Sequence, residues 1–299
     1  MKKDNTKLLA YLSLVVVVLT WGMSPVISKF MLNTYSPGIK RLMDALFASA
    51  ALGAIANKQV KTINKSILKI SLFVGACFAL GMILEGVALN FTTPAKSSFY
   101  GNGTCITVPL FVALFSKKMP SVMKIVAGVV CVAGFGVIIF GDTLKGGLPS
   151  FALGDALTLL SGVFYGATSA AINTWGKHIN SILLTFLEFC ITIPFCAAYV
   201  FLFEDVSFSW DIEKLLIIAA AAILVQGVCW LLRNFAVQHL DAGLVAIISS
   251  FSTVVAGVVS ILAGMDVFKW SLVVGGAICV MSAILSGLSS KPKQQLKTE

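Results

Sequence analysis

Long apolar stretches alternate along this chain with short polar or charged ones. A helix needs about 20 mainly apolar residues to cross the hydrocarbon core of a bilayer. The pattern therefore predicts ten membrane-spanning helices, with no stretch between them long enough for a separate soluble domain. The predicted helices are residues 8–30, 39–56, 67–89, 95–115, 122–140, 151–174, 182–203, 215–237, 242–263 and 267–288.

The composition agrees with a membrane protein. Of 299 residues, 58% are hydrophobic and 12% are charged, whereas an ordinary soluble domain has about 25% charged residues. One compact domain cannot shield so many apolar side chains from water, so most of the surface is expected to face lipid. We predict an all-α integral membrane protein.

The distribution of basic residues predicts its orientation. With the N-terminus inside, one side of the membrane receives most of the loop lysines and the other side most of the acids. The side richer in Lys and Arg is normally cytoplasmic. We therefore expect a multi-pass protein of the cell (plasma or inner) membrane with both termini in the cytoplasm.

The net charge of +9 is then explained by topology and by contact with anionic lipid headgroups. No basic run is interleaved with aromatic residues, as a nucleic-acid site would require. The partners we expect are a small-molecule metabolite and the lipid bilayer, with no nucleic acid. The protein itself is expected to be a monomer or a weak homodimer.

The two halves of the chain resemble each other. An offset of 147 residues aligns Ala95 with Ala242, and an offset of 144 aligns Trp21 with Tyr165. Each half contains five predicted helices, and an odd number inverts the second half relative to the membrane. We predict two inverted five-helix repeats, residues 1–145 and 146–299, around a central cavity, with a cytoplasmic tail at the C-terminus.

Several motifs occur in an order typical of one family. They are Trp21-Gly22 in helix 1, "FTTPAKSSF" and "VPLFVALFSKKMP" at the two ends of helix 4, a glycine-rich helix 5 and "LGD" at the start of helix 6. With this order and the repeat, residues 8–288 resemble the EamA-type transporters of the drug/metabolite transporter superfamily. The chain departs from that pattern at Glu188 in helix 7 and lacks a proline in helix 9 to match Pro109.

The resemblance implies a basket of ten helices and transport of amino acids or other small metabolites, often outward. We therefore predict a secondary transporter, an exporter that works by alternating access, with no cofactor and no metal. The main alternative is an intramembrane enzyme acting on a lipid or isoprenoid substrate. Such an enzyme needs acids or histidines at one depth, whereas the charges here are scattered over both leaflets.

Polar and aromatic residues within the apolar stretches are the candidate substrate contacts. Asn102 and Ser98, for example, share one face of helix 4, because they are four residues apart. Small polar residues also serve helix packing, so this interpretation stays open beside the substrate-binding one. The candidates are Trp21, Ser24, Glu85, Ser98, Asn102, Tyr165, Ser169, Gln226, Trp230 and Ser249.

Charges at the outer ends of helices 1 to 4 allow two interpretations. The bases outnumber the acids there: the residues are Lys29, Lys40, Arg41 and Lys96 against Asp44 and Glu85. In the first interpretation the lysines extend to the interface and Arg41 pairs with Asp44. In the second, surplus positive charge at an outer vestibule receives a substrate carboxylate.

Glu188 is an acid in an apolar helix, and the repeat aligns it with Asp44. Unlike Asp44, it has no basic residue three or four positions away. It is either one half of a structural ion pair with Arg233 or a proton carrier, and we predict Glu188 as the coupling residue. The seven cysteines all lie in apolar stretches and are expected to be packing residues, without disulfides.

Overall fold

A computed structural model describes residues 2–92, 94–101, 103–117, 119–140, 153–204, 211–264 and 270–289. Within these residues the regular structure is entirely helical. The first repeat contains α1 (Lys2–Met31), α2 (Pro37–Ala56), a 3₁₀ turn (Gln59–Thr62), α3 (Lys65–Ala88), α4 (Pro94–Gly101), α5 (Thr104–Ser116) and α6 (Val122–Phe140). The second contains α7 (Leu153–Thr174), α8 (Ser181–Phe203), α9 (Ile212–Ala221), a π-helix (Ala222–Val228), α10 (Cys229–His239), α11 (Ala242–Ser250), α12 (Ser252–Leu262) and α13 (Trp270–Ser289).

Five helical segments in the described part of the chain are long and apolar enough to cross a bilayer. They are Asn5–Met31, Lys65–Ala88, Ser181–Phe203, Ile212–His239 and Ala242–Leu262. The predicted all-helical membrane protein is therefore confirmed, and crossing by all ten segments stays a prediction. Large apolar side chains cover its outside, as lipid contact requires.

Helices 4 and 9 each have a local interruption of regular α-helix near the middle. In helix 4 the Gly103 amide, between α4 and α5, bonds to the Tyr100 carbonyl at 3.0 Å. In helix 9 the Phe251 amide, between α11 and α12, bonds to the Ile248 carbonyl at 3.1 Å, and Ala242–Leu262 remains one helical segment. Both bonds span three residues, which tightens the helix locally. The two interruptions fall at equivalent positions of the repeat to within one residue.

Polar side chains cap the N-termini of several helices. Asn64 accepts the Ile67 amide at the start of α3, and Asn180 accepts the amide of Leu183 in α8. Asp211 and Asp241 do the same for α9 and α11. A side-chain oxygen at this position satisfies an amide that has no partner within the helix.

The two halves pack reciprocally. Helix α1 packs on α10 and α12, and α7, the counterpart of α1 in the second repeat, packs on α3 and α5. Helices α2 and α8 pack on each other, as do α6 and α13. Reciprocal contacts of this kind are those that a pseudo-twofold axis produces, so the packing agrees with the internal repeat in the sequence.

Two equivalent glycines allow this close packing. A Cβ atom at Gly22 of α1 would overlap the side chain of Val255 in α12. A Cβ atom at Gly166 of α7 would overlap Thr107 in α5. Small residues let transmembrane helices approach one another closely. Gly136 in α6 differs, because an added Cβ would meet nothing within 4 Å.

We predict that Gly22→Ala and Gly166→Ala each destabilise the protein by about 1–3 kcal/mol, the usual cost of overpacking. Gly136→Ala is the matched control and should leave stability unchanged or raise it by up to about 1 kcal/mol, because alanine favours helix. Thermal unfolding of the purified variants in detergent measures both effects. Equal melting of all three variants would contradict the proposed packing role of Gly22 and Gly166.

Candidate substrate cavity

A cavity lies between the two repeats, with about 700 Å³ of space free of atoms, its open mouth included. Helices of both repeats form its wall, including α4, α5, α11 and α12 on both sides of the two interruptions. The lining residues are Trp21, Ser24, Pro25, Glu85, Ser97, Ser98, Gly101, Thr104, Tyr165, Gln226, Trp230, Arg233, Ser249 and Ser252.

Most of the candidate residues chosen from sequence meet in this wall. They are Trp21, Ser24, Glu85, Ser98, Tyr165, Gln226, Trp230 and Ser249. Ser169 lies behind the wall, fully buried, and its hydroxyl donates to the Tyr165 carbonyl at 2.7 Å. Asn102 lies outside the described residues. That these side chains bind substrate stays a prediction.

Arg233 lines the cavity, although it is not among the substrate contacts predicted from the sequence. Its position along the chain indicated only a partner for Glu188. A usable signal was present: Arg233 is seven residues, close to two helical turns, from the candidate Gln226, so the two lie on one helix face. Ser97, Thr104 and Ser252 were also missed, since small polar residues are common at helix contacts.

Aromatic rings form one side of the cavity. The ring centroids of Trp21 and Trp230 are 4.8 Å apart, and those of Tyr165 and Trp230 are 5.3 Å apart. Phe78 contacts Trp230 behind them at 4.6 Å, edge to face. Contacts of this kind hold the rings in fixed positions. The cavity thus has a rigid apolar surface beside its polar groups.

The π-helix before α10 supplies partners for both indole N–H groups. Trp21 Nε1 donates to the Val225 carbonyl at 3.2 Å, and Trp230 Nε1 donates to Gln226 Oε1 at 3.1 Å. A π-helix is rare and occurs most often at functional sites, since it changes which backbone groups are available for bonding. Here it attaches the aromatic wall to the helix that carries Arg233.

An ion network links α2, α3 and α7 beside the cavity. Asp44 Oδ2 accepts Lys40 Nζ at 2.6 Å and lies 3.5 Å from Arg41 Nη1. Arg41 Nη2 donates to Glu85 Oε2 at 2.9 Å, and this oxygen also accepts the Tyr165 hydroxyl at 3.0 Å. Two bases thus neutralise two acids.

This network corrects one part of the first interpretation of the outer charges and confirms another. Lys40 does not extend to the interface: it is only 5% exposed and held by Asp44. The predicted Arg41–Asp44 pair is present at 3.5 Å, although Arg41 approaches Glu85 more closely, at 2.9 Å. The described side chains there keep one surplus positive charge, since Lys29, Lys40 and Arg41 face two acids and Lys29 donates only to the neutral Leu89 and Thr92 carbonyls. The side chain of Lys96 is outside the described part.

The alternative of a direct ion pair between Glu188 and Arg233 is not found among the described residues. Glu188 Oε2 accepts Asn234 Nδ2 at 2.6 Å, and Asn234 also donates to the Thr185 hydroxyl at 3.1 Å. Arg233 Nη2 instead donates to Ser169 Oγ at 2.6 Å. Adjacent residues of a helix project about 100° apart, so Asn234 faces α8 while Arg233 faces the cavity.

Apolar side chains close the cavity toward the end of the bundle at which α1 begins. One buried cluster there includes residues of α1, α3, α5, α7, α8, α10 and α11. Its members include Leu14, Val74, Ile172, Leu184 and Val245. Farther along the same direction, Lys124 Nζ of α6 lies 2.5 Å from Asp241 Oδ2, the cap of α11.

The described residues contain no group of three or more His, Cys, Asp or Glu side chains placed to hold a metal ion. All seven cysteines are free. Cys105 and Cys131 lie closest, with their Sγ atoms 3.5 Å apart between α5 and α6. They fill the core there together with Cys279.

A lipid-facing helical bundle with a polar cavity between two similar halves is the architecture of a membrane transporter. The model of the EamA-like transporter family matches residues 8–140 and again residues 152–288. The chain belongs to this family and is a multi-pass membrane transporter. The resemblance noted from the sequence motifs is thereby confirmed, whereas a repeat boundary at residue 145 stays a prediction.

Two individual proteins are also similar to this chain. An "Uncharacterized transporter" of Archaeoglobus fulgidus is 21% identical over 290 residues, which cover 94% of this chain and 87% of that protein. A solved structure described as "Crystal structure of protein" aligns with a TM-score of 0.73 and 16% identity, over 96% of this chain and 98% of that one. At this identity the second match shows the fold alone.

We predict that Asp44→Asn lowers the free energy of unfolding by about 3–5 kcal/mol, because it leaves the buried Lys40 ammonium without its counter-charge. Asp211→Asn is the control: Asp211 also pairs with a lysine, Lys214, but at an exposed site where such pairs contribute little. Thermal unfolding in detergent compares the two. If Asp44→Asn unfolds at the same temperature as the wild type, the network does not stabilise the fold.

Proposed function

We propose that the protein is a secondary transporter that moves small metabolites such as amino acids by alternating access. The central cavity carries this proposal: it is built from both repeats, lined by polar and aromatic side chains, and closed at one end by apolar packing. In repeat-built carriers, movement of one repeat against the other opens such a site first to one side and then to the other.

The interruptions of helices 4 and 9 support this mechanism. Gly101 and Thr104 line the cavity on the two sides of the first interruption, and Ser249 and Ser252 do so at the second. Departures from regular helix at the interface between repeats are a recurrent feature of carrier binding sites. They also provide equivalent points in the two halves at which a helix can change direction.

The two ends of the bundle are held differently. Lys124 and Asp241 form an ion pair at the closed end. The repeat aligns these two positions with Ser271 and Pro94, neither of which carries a charge. An inverted copy of the closing ion pair is therefore missing at these positions, and we infer that the resting protein favours closure at the Lys124–Asp241 end.

We further propose that the protein lies in the cell (plasma or inner) membrane with both termini in the cytoplasm. The closed end is then the cytoplasmic end, and transport runs outward. The lysine-rich loops support the orientation. The intramembrane enzyme receives no support from the cavity wall, since Glu85 is engaged by Arg41 and Tyr165 rather than free for acid–base catalysis.

Transport by the purified protein in liposomes tests the proposal. We predict counterflow of at least one compound from a panel of amino acids, amines and sugar derivatives. On a cysteine-free background, Ser98→Cys should make this transport sensitive to a membrane-impermeant thiol reagent present on both sides of the membrane, because Ser98 lines the cavity. Lys69→Cys, exposed near the start of α3, is the control and should react without blocking transport.

If the folded, monodisperse protein shows counterflow of no compound in the panel, secondary transport is contradicted. Inhibition of the Lys69→Cys control, with Ser98→Cys unaffected, would place the substrate pathway away from the central cavity.

We also propose that Glu188 couples transport to protons. It is fully buried in α8, and its Oε1 atom has no hydrogen-bond partner among the described residues. Its other oxygen is held by Asn234, which connects it to the helix that carries the cavity residue Arg233. A carboxyl placed in this way can change protonation as α8 and α10 move against each other.

We predict that Glu188→Gln keeps substrate exchange but loses accumulation driven by a pH gradient, because glutamine cannot carry the proton. Glu213→Gln, at the exposed start of α9, is the matched control and should accumulate substrate normally. Both are measured in liposomes with an imposed pH gradient. Normal accumulation by Glu188→Gln would remove the coupling role, and parallel loss of exchange and thermal stability would indicate a structural one.

A further inference from the structure

Arg233 is the basic residue in the described wall of the central cavity. Its side chain is almost entirely buried, at 3% exposure for the residue. Nη2 donates to the Ser169 hydroxyl, whereas Nη1 has no hydrogen-bond partner among the described residues. A buried donor without a partner is costly, so Nη1 is a candidate contact for a bound molecule.

No carboxylate contacts the guanidinium of Arg233 directly in the described part of the chain. Asp44 and Glu85 pair with Lys40 and Arg41. Glu188 is held by Asn234 and acts on Arg233 only through space. Arginine stays protonated in proteins, and an isolated buried charge is unfavourable. The site therefore favours an anion.

Two tryptophans fix the guanidinium in place. Its central carbon lies 4.9 Å from the centroid of the Trp230 ring and 5.8 Å from that of Trp21. Such cation–π contacts offset part of the cost of burial. They also place two aromatic faces beside the free donor, so an anion bound there meets apolar surface next to its charge.

We propose that the cavity recognises its substrate by a carboxylate group, which accepts a hydrogen bond from Arg233 Nη1 while an apolar or aromatic body packs on Trp21, Trp230 and Tyr165. The planar arginine fork matches a carboxylate in geometry. A dianion such as a phosphate monoester would bring a second charge for which the described wall has no second cation. This proposal rests on the function proposed above and names the substrate class of the same cavity.

Four probes of one shape test it on the unaltered protein. L-phenylalanine carries a carboxylate and an amine, 3-phenylpropionate only the carboxylate, phenylalaninamide only the amine, and 3-phenylpropionamide neither. We expect the two carboxylates to bind to the purified protein in calorimetry and to quench its tryptophan fluorescence, and the two amides to bind at least about tenfold more weakly. Equal binding of the amides, or binding of none of the four, would overturn the proposal.

Variants assign the effect to Arg233. Arg233→Gln should weaken the carboxylate probes about 10- to 100-fold, the expected loss for a hydrogen bond to a charged group, and should leave the amides unchanged. Arg233→Lys keeps the charge and should retain part of the preference. Lys214→Gln removes a charge at the exposed start of α9 and is the control, with wild-type binding expected. Unchanged carboxylate binding by Arg233→Gln would place the carboxylate elsewhere.

The two proposals fail separately. Carboxylate probes that bind in an Arg233-dependent way but never cross the membrane would remove the transport function and leave the carboxylate site. Counterflow of amines or neutral sugars that the carboxylate probes do not inhibit would leave transport and remove the carboxylate site.

Discussion

Polar groups buried in a bilayer need partners inside the protein, because hydrocarbon offers none. In this protein that constraint decides where the polar residues gather. Lys40, Arg41, Asp44 and Glu85 form one neutral network, although they come from different helices. The network and the aromatic wall share Tyr165, whose hydroxyl reaches Glu85 while its ring contacts Trp230. Fold stability and the shape of the cavity therefore depend on the same contacts.

The same constraint governs the backbone. Irregular backbone inside a membrane is tolerated where protein or a cavity surrounds it. The interruptions of helices 4 and 9 and the π-helix at Gln226 all adjoin the central cavity. In the π-helix the Val225 carbonyl accepts the Trp21 indole N–H. Local departures from α-helix thus occur where they supply hydrogen bonds and flexibility to the candidate site.

Tightly packed helix contacts and open space lie in different parts of the bundle. Gly22 and Gly166 hold α1 against α12 and α7 against α5 without space for a methyl group. Between these tight contacts the cavity keeps open space, and described polar atoms without a partner remain in its wall on Arg233 and Ser249 and outside it on Glu188. Groups left in this condition are available to bind a substrate or a proton when the two halves move.

The sequence by itself determined the class of the protein. Apolar stretches of membrane length, the internal repeat and the order of motifs led to a helical EamA-type transporter, and most candidate cavity residues were named from their faces and repeat partners. Ser98 and Ser249 are examples, since helical periodicity follows directly from residue spacing. These features are local in the chain, so no knowledge of packing was needed to identify them.

Only the tertiary structure decided which charges meet. Arg41 and Glu85 are 44 positions apart, and Asn234 and Glu188 are 46 apart, yet each pair is in direct contact. Spacing along the chain correctly suggested Arg41 with Asp44, but not the closer contact of Arg41 with Glu85. Depth in the membrane suggested Arg233 with Glu188, which are not in direct contact. The actual pairs depend on how each helix is rotated about its own axis, and a rotation is set by packing against neighbouring helices, which a single apolar sequence does not encode locally.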